Sequence, residues 1–301
     1  MTLLIVFAPL IELSAQIEST IEIYDIVTNE RHQVLKENFH LEAPNWSRDG
    51  KYLVYNSEGR LTKLDLTTKE KEEIFTDFAD NINNDHGISP DGSLLVISNF
   101  DKPDTSTNGV DWTTSKMYIL PITGGTPELI PTEGTAFWHG WSPDGKTLAY
   151  VGLKNDNFDI YSIDLKNGKE RRLTSAVGLD DGPDYSHDGK YIYYNSIQSG
   201  SMEIWRMNAD GSEHQQLTND KYSNWFPHPS PDGNGFVFLS FLEDQGSDHP
   251  AMKKVALRYY NLENKSLRTL CEFTGGQGTI NVPSWSPSGD KFAFVTYKWL
   301  D

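Results

Sequence analysis

The amino-acid sequence predicts an all-β protein, a six-bladed β-propeller built from four-stranded antiparallel blades. Three observations predict this fold: a five-residue motif recurs six times, each copy precedes a similar order of short strands, and turn-forming and aromatic residues are abundant. The 301 residues include 24 Gly and 15 Pro, and 12% of them are aromatic. This composition suits short strands joined by turns and disfavours a helical bundle or a disordered chain.

The repeated motif has the form Trp-Ser-Pro-Asp-Gly and is followed by alternating apolar residues. Its six copies begin at Trp46, Ile88, Trp141, Tyr185, Pro229 and Trp285, at intervals of 42, 53, 44, 44 and 56 residues. The mean interval of about 48 residues lies in the range of propeller blades. The period therefore indicates that each repeat is one blade.

Each repeat has the same internal order. Pro-Asp-Gly, as in residues 143–145, predicts a tight turn, because Pro fixes φ and Gly tolerates a positive φ. An alternating strand follows, as in residues 191–194, and then a third strand, as in residues 203–207. A turn such as residues 208–211 leads to a fourth, outer strand. Four short antiparallel strands are typical of a propeller blade.

The two ends of the chain predict how the ring closes. Residues 21–26 and 33–35 resemble the third and fourth strands of a blade, and residues 291–297 resemble a second strand. We expect the N-terminal pair to complete the C-terminal blade, which covers two sheet edges. An open β-solenoid is the alternative.

These motif copies resemble the WD40-like (PD40) repeats of TolB-type β-propellers over essentially all of residues 16–301. The resemblance implies the propeller fold, and it implies several possible functions: partner-binding platforms, sugar-acting enzymes and accessory domains of peptidases. We expect the chain to lack the N-terminal α/β domain of TolB proteins. The sequence also contains no Gly-x-Ser-x-Gly nucleophile elbow of a hydrolase.

Composition and the N-terminus limit the partners and the compartment. The net charge of −17 argues against nucleic-acid binding, because phosphates would be repelled. The single cysteine, Cys271, excludes an intrachain disulfide and a Cys-x-x-Cys site. Residues 1–15 are predicted to be a signal peptide, although they contain no basic residue, and 16–301 to be one domain. We expect a periplasmic or secreted monomer without a membrane span; a strand packed on the domain is the alternative for residues 1–15.

The residues just before each motif are expected to line the upper mouth of the central channel, at the end opposite the Pro-Asp-Gly turns. His86, His139 and His228 fall in this ring and are the candidate metal ligands and, with Asp184, the candidate catalytic residues. The predicted ligand-binding residues are Asn45, Asp85, Trp138, Asp184, Trp225, Gln277 and Asn281. Polar and aromatic groups together suit a sugar ligand. The alternative is that the aromatic side chains pack between blades and the histidines bond to loop backbone.

A divalent metal ion is the cofactor that this ring suggests, since neutral imidazoles are common ligands of transition metals. The resemblance supports it, because oligogalacturonate lyases are propellers of similar repeats that hold a divalent metal through His and Gln side chains. Their ligand motif, however, cannot be matched here residue by residue, and their ring has seven blades.

Two long connections are predicted to rise beside the same mouth. They are residues 99–115 of the second blade and residues 242–252 of the fifth, which lie opposite each other in a ring of six.

Two functions remain open at this stage. The first is a propeller whose upper face binds a glycan or an envelope protein. The second is a carbohydrate-active lyase or hydrolase, in which a histidine acts as base or metal ligand and Asp184 as ligand or acid.

Overall fold

A computed structural model describes residues 17–101 and 112–300, so the predicted signal peptide and part of the first long connection lie outside the described residues. The chain begins with β1 (Ile17–Asp25) and β2 (Glu30–Glu37). The first blade contains β3 (Glu42–Trp46), β4 (Tyr52–Ser57), β5 (Arg60–Asp65) and β6 (Lys71–Glu73). The second contains β7 (Ile82–Ile88), β8 (Leu94–Phe100), β9 (Ser115–Pro121) and β10 (Glu128–Leu129), with a 3-10 turn at Trp112–Thr114.

The remaining blades repeat this order. The third contains β11 (Thr135–Trp141), β12 (Thr147–Lys154), β13 (Asn157–Asp164) and β14 (Glu170–Arg172). The fourth contains β15 (Asp180–Tyr185), β16 (Tyr191–Ser196), β17 (Glu203–Asn208) and β18 (Gln215–Gln216). The fifth contains β19 (Ser223–Pro229), β20 (Gly235–Phe241), β21 (Lys253–Asn261) and β22 (Leu267–Gly275), and β23 (Lys291–Trp299) follows it. The first five blades are four-stranded antiparallel sheets, which confirms the predicted six-bladed propeller.

The sixth blade closes the ring as predicted. β1 lies between β2 and β23, and its nine residues all pair with β23, from Ile17 opposite Trp299 to Asp25 opposite Lys291. The innermost segment of this blade is less regular than its counterparts, because it touches β23 through a single bridge between Trp285 and Phe292.

The motif turns are held by a side-chain network that explains their recurrence. In the third blade, the Ser142 hydroxyl donates to the Asp144 carboxylate at 2.7 Å, and the backbone N–H of Thr147 donates to the Ser142 oxygen at 2.9 Å. Gly145 follows with a φ of 70°. In the sixth blade, Ser288 replaces the aspartate, and Asp290 accepts the serine hydroxyls instead. The motif is therefore a structural unit of the turn.

The closing strand should be essential to stability. Ile21 of β1 is fully buried in a cluster with Leu53, Val295 and Tyr297. Ile21→Ala is expected to lower the free energy of unfolding by about 2–5 kcal/mol, because it leaves a cavity between the first and sixth blades. Val27, 74% exposed, is the control, and Val27→Ala should change stability by less than about 0.5 kcal/mol. Equal chemical-denaturation curves for the two variants would contradict this role.

The carboxylates of the motif turns should also make the stability of the fold depend on pH in the acidic range. Hydrogen bonds from the hydroxyl of Ser89 and from the backbone and hydroxyl of Ser93 lower the pKa of Asp91 from 3.8 to about 2. These bonds therefore stabilise the fold above pH 3.8, and their contribution is lost as the pH falls toward 2. Asp91→Ala is expected to lower the melting temperature at pH 7 and to match the wild type near pH 2. Glu72→Ala, on the exposed outer strand, should follow the wild type at both pH values.

Candidate functional site

Two cavities occupy opposite ends of the central channel. The upper cavity, of about 660 Å³, lies away from the motif turns, and the lower cavity, of about 430 Å³, lies at the turns. The polar lining of the upper cavity is Asn81, Asn83, Asn84, Asp85, Glu42, His139, Asp181, Ser247, Asp248, His249, Gln277 and Asn281. The lower cavity is lined by Asn45, Arg48, Ile88, Trp138, Trp141, Asp184, Tyr185, His187, Trp285, Ser286 and the prolines at 90, 143, 229, 231, 283 and 287. Within the described part of the chain, the two cavities share no lining residue.

An ion pair lies in the upper cavity. His139 Nε2 is 3.1 Å from Asp181 Oδ1 and 4.0 Å from Asp85 Oδ1. Burial alone would lower the pKa of His139, but Asp85 and Asp181 raise it to about 9. Burial likewise raises the pKa of Asp181, but its hydrogen bond to His139 more than offsets this, and the pKa is lowered. At neutral pH, His139 is therefore an imidazolium paired with the Asp181 carboxylate.

The charges of two further carboxyl groups, those of Glu42 and Asp85, are balanced less well by nearby cations than that of Asp181. Burial, together with the nearby Asp85, raises the pKa of Glu42 to about 7. Burial also raises the pKa of Asp85, and the repulsion of Asp181 adds to this, so that the pKa is about 6 in spite of His139. The side-chain oxygen of Asn84 is buried and accepts no hydrogen bond from the described residues. Glu42 also lies 3.8 Å from His40 Nδ1, and Asp85 accepts a hydrogen bond from the Asn83 amide at 2.6 Å. The upper cavity therefore holds more carboxyl groups than charged imidazoles, together with one amide oxygen that has no donor among the described residues.

The fifth-blade insertion reaches this cavity, as its predicted position requires. Asp248 and His249 of that loop line it, and His249 packs on Trp225 with ring centroids 4.5 Å apart. Below them, Phe226 stacks on His139 at 6.2 Å. Phe226 has a φ of 52°, which is uncommon for a non-glycine residue and marks local backbone strain.

The structure does not bring the three predicted histidines to one point. His86 is fully buried, its Nε2 lies 3.3 Å from the Val54 carbonyl oxygen, and burial lowers its pKa to about 4. His228 uses both ring nitrogens, at 3.1 Å from Asp184 Oδ2 and 2.6 Å from the Ile280 carbonyl oxygen. Among residues 17–101 and 112–300, no group of three or more His, Cys, Asp or Glu side chains could hold a metal ion. The expected three-histidine metal centre is therefore not assembled.

The predicted ligand-binding residues divide among three locations. Asp85, Gln277 and Asn281 line the upper cavity, and Asn45, Trp138 and Asp184 line the lower one instead. Trp225 is fully buried in a hydrophobic cluster and lines neither cavity. The two tryptophans thus pack within the fold, as the alternative interpretation held, because their large apolar surfaces are buried between blades.

Asn45 has a structural task in this arrangement. Its amide donates to the Pro283 carbonyl, and its oxygen accepts the backbone N–H of Ile88 at 3.0 Å. The side chain thereby joins the first, second and sixth blades across the channel.

Glu42 is the site residue that sequence reasoning missed. The signal that identifies Glu42 is its position in the repeat, which we call its phase. It lies four residues before the first residue of its motif, as do Asn84, Asp181 and Asn281 in their repeats. All four side chains line the upper cavity. A polar residue at this phase is therefore a better indicator of the cavity than a histidine close to the motif.

Comparison with known proteins gives the family. The PD40 family, described as the TolB β-propeller domain, matches residues 101–298. The chain belongs to the TolB β-propeller family. The chain is similar to an uncharacterized protein, Atu1656, of Agrobacterium fabrum, with 48% identity over 280 residues, which are 93% of this chain and 92% of that protein. Among the described residues, no helix is long and apolar enough to cross a membrane.

This chain covers different shares of the other proteins that it resembles. The Tol-Pal system protein TolB of Francisella tularensis subsp. tularensis is 23% identical over 269 residues, which are 85% of this chain and 57% of that protein. The structure of a candidate TolB from Agrobacterium tumefaciens has a TM-score of 0.87 at 46% identity, covering 94% of this chain and 99% of that one. An oligogalacturonate lyase with manganese has a TM-score of 0.52 at 14% identity, over 87% of this chain and 71% of that one, so it shares only the fold.

The upper cavity should make stability fall as the pH rises. The pKa of Glu42 is raised from 4.5 to about 7, so its protonated form is favoured by folding, and that stabilisation is lost as the pH rises through 7. Glu42→Gln is expected to raise the melting temperature at pH 8 and to have little effect at pH 4. Glu128→Gln, on an exposed outer strand, is the control and should not alter the pH profile. A Glu42→Gln variant that parallels the wild type from pH 4 to 8 would contradict this electrostatic assignment.

Proposed function

We propose that this TolB-type propeller is a periplasmic or secreted binding protein, and that its upper cavity receives a cationic side chain of an envelope-protein partner. The observation that carries the proposal is the excess of acceptors in that cavity. Glu42, Asp85 and Asp181 oppose one imidazolium, that of His139, and the Asn84 oxygen has no donor among the described residues. A lysine or arginine side chain supplies positive charge that balances the remaining carboxylates and an N–H donor for the Asn84 oxygen.

The sequence similarity to TolB proteins supports a protein partner. Relatives of this chain carry the name Tol-Pal system protein TolB, so we infer that proteins of such a system are candidate partners. A glycan is supported less well, because Trp138 and Trp225, which were expected to stack on a sugar, are 1% and 0% exposed. The enzymatic alternative is also supported less well, because two of the three candidate histidines are not available in the upper cavity. His86 lies outside that cavity, and both ring nitrogens of His228 are already hydrogen-bonded.

Binding of a cation should depend on pH in a defined direction. The pKa values of Glu42 and Asp85, about 7 and about 6, mean that both groups become ionised between pH 5 and 8. A cationic side chain binds the ionised forms more tightly. Affinity should therefore rise over this range, while His139, with its pKa of about 9, stays largely charged.

The experiment compares two blocked tripeptides that differ only in charge, acetyl-Gly-Lys-Gly-amide and acetyl-Gly-norleucine-Gly-amide. Calorimetry is expected to show saturable binding of the lysine peptide that tightens from pH 5 to 8, and no comparable binding of the norleucine peptide. A Glu42→Gln/Asp85→Asn double variant should weaken the lysine peptide by about tenfold or more, because two acceptors lose their charge. The Glu128→Gln control should bind as the wild type does. Equal affinity of both peptides, or an unaffected double variant, would overturn the proposal.

A further inference from the structure

The lower cavity is encircled by the third residue of each motif. These six residues are Arg48, Pro90, Pro143, His187, Pro231 and Pro287, and all of them line the cavity. Proline is the turn residue in four blades, whereas the first and fourth blades, which are opposite in a ring of six, carry Arg48 and His187. Both side chains are exposed at the mouth. The turn does not need either of them, because proline serves the same position elsewhere in the ring.

Arg48 is held by backbone carbonyl groups and forms no ion pair with a carboxylate of the described residues. Its Nε and Nη2 donate to the carbonyl oxygens of Ser89 and Ile88, each at 3.2 Å. Carbonyl groups orient a guanidinium but do not neutralise its charge. A guanidinium also carries five N–H donors, so others remain for a ligand beyond the two engaged here.

The acidic group in the lining, Asp184, is hydrogen-bonded to His228. His228 Nδ1 lies 3.1 Å from Asp184 Oδ2, and His228 Nε2 lies 2.6 Å from the Ile280 carbonyl oxygen. Burial lowers the pKa of Arg48, and the negative charge of Asp184 raises it by a smaller effect. Asp184 is therefore engaged by His228, and the Arg48 guanidinium keeps N–H donors for a ligand.

The walls contain several aromatic and proline side chains beside the polar groups Asn45, Asp184 and Ser286. Trp141 and Trp285 direct their indole N–H groups to the carbonyl oxygens of Gly87 and His228, at 3.2 and 2.9 Å, so their polar atoms are satisfied. Trp138 also lines the cavity and is 1% exposed, yet its indole N–H has no acceptor among the described residues. Aromatic surfaces beside a guanidinium suit a flat apolar molecule that bears an acceptor.

The surrounding turns limit the charge of that molecule. The motif carboxylates of Asp91 and Asp188 have pKa values lowered to about 2 by hydrogen bonds within their turns, so the rim around the cavity is ionised. This rim repels multiply charged anions such as phosphate. One carboxylate can be paired by the one guanidinium of Arg48.

We propose that the lower cavity binds a small aromatic monocarboxylic acid, whose carboxylate pairs with Arg48 and whose ring packs against Trp141, Tyr185 and Trp285. The cavity volume of about 430 Å³ fits a molecule of this size. This site is separate from the partner-binding cavity at the other end of the channel and does not depend on it.

The test uses benzoate as the probe and benzamide as its uncharged counterpart, measured by calorimetry on the full chain. Benzoate should bind the wild type saturably and more tightly than benzamide. Arg48→Pro restores the residue that four other blades use, so it should retain the melting temperature and yet weaken benzoate by about tenfold or more. Arg48→Gln retains donors for the two carbonyls without the charge and should give the same loss.

The matched control is Lys51→Ala, which removes one positive charge from the same turn but outside the cavity lining. It should leave benzoate binding unchanged. The proposal is overturned if benzoate does not saturate the wild type, if benzamide binds equally well, or if Arg48→Pro and Arg48→Gln bind benzoate as the wild type does. Binding of the lysine peptide at the upper cavity reports separately on the partner site, so the two proposals can fail independently.

Discussion

The pairing of β1 with β23 is the constraint on which the rest of the structure depends. Nine residue pairs join the first described strand to the last one, and they hold six blades in a closed ring. Closure brings six inner segments, each with its own polar groups, to one axis that little water reaches. Burial then shifts the protonation of those groups, as it does for Glu42 and His86. The electrostatics of the channel are thus a consequence of ring closure.

The repeat architecture could be predicted from sequence because it depends on local chemistry. A serine hydroxyl, an aspartate and a glycine within five residues form a turn by themselves, and six such turns in phase define six blades. The closing strands could be predicted for the same reason, since their alternating pattern is local. The directions of the side chains along the inner strands could not be predicted in this way, because each of the five regular inner strands carries a β-bulge.

His86 and His139 show why the bulges defeated the site prediction. Both lie two residues before their motif, and the sequence treats them alike. In β7 the bulge precedes His86, which pairs with Ile97 and is directed between blades, against the Val54 carbonyl. In β11 the bulge falls on His139 itself, which is skipped by the pairing and lines the upper cavity. When the pairing of two strands shifts by one residue, each side chain moves to the opposite face of the sheet. The positions of the bulges have no reliable signal in this sequence.

The same packing separates the channel into two chemically different ends. Trp138 lies so close to Gly87 that a Cβ at that position would come within 1.8 Å of the indole, so the glycine is needed for the approach. The indole that sequence reasoning assigned to a ligand therefore packs against Gly87 of the neighbouring blade and lines the lower cavity, which also contains Arg48. Because no described lining residue is shared, the chemistry of each end is set by its own side chains. A propeller organised in this way can carry two ligand sites on one axis, each specified by a few departures from the repeat.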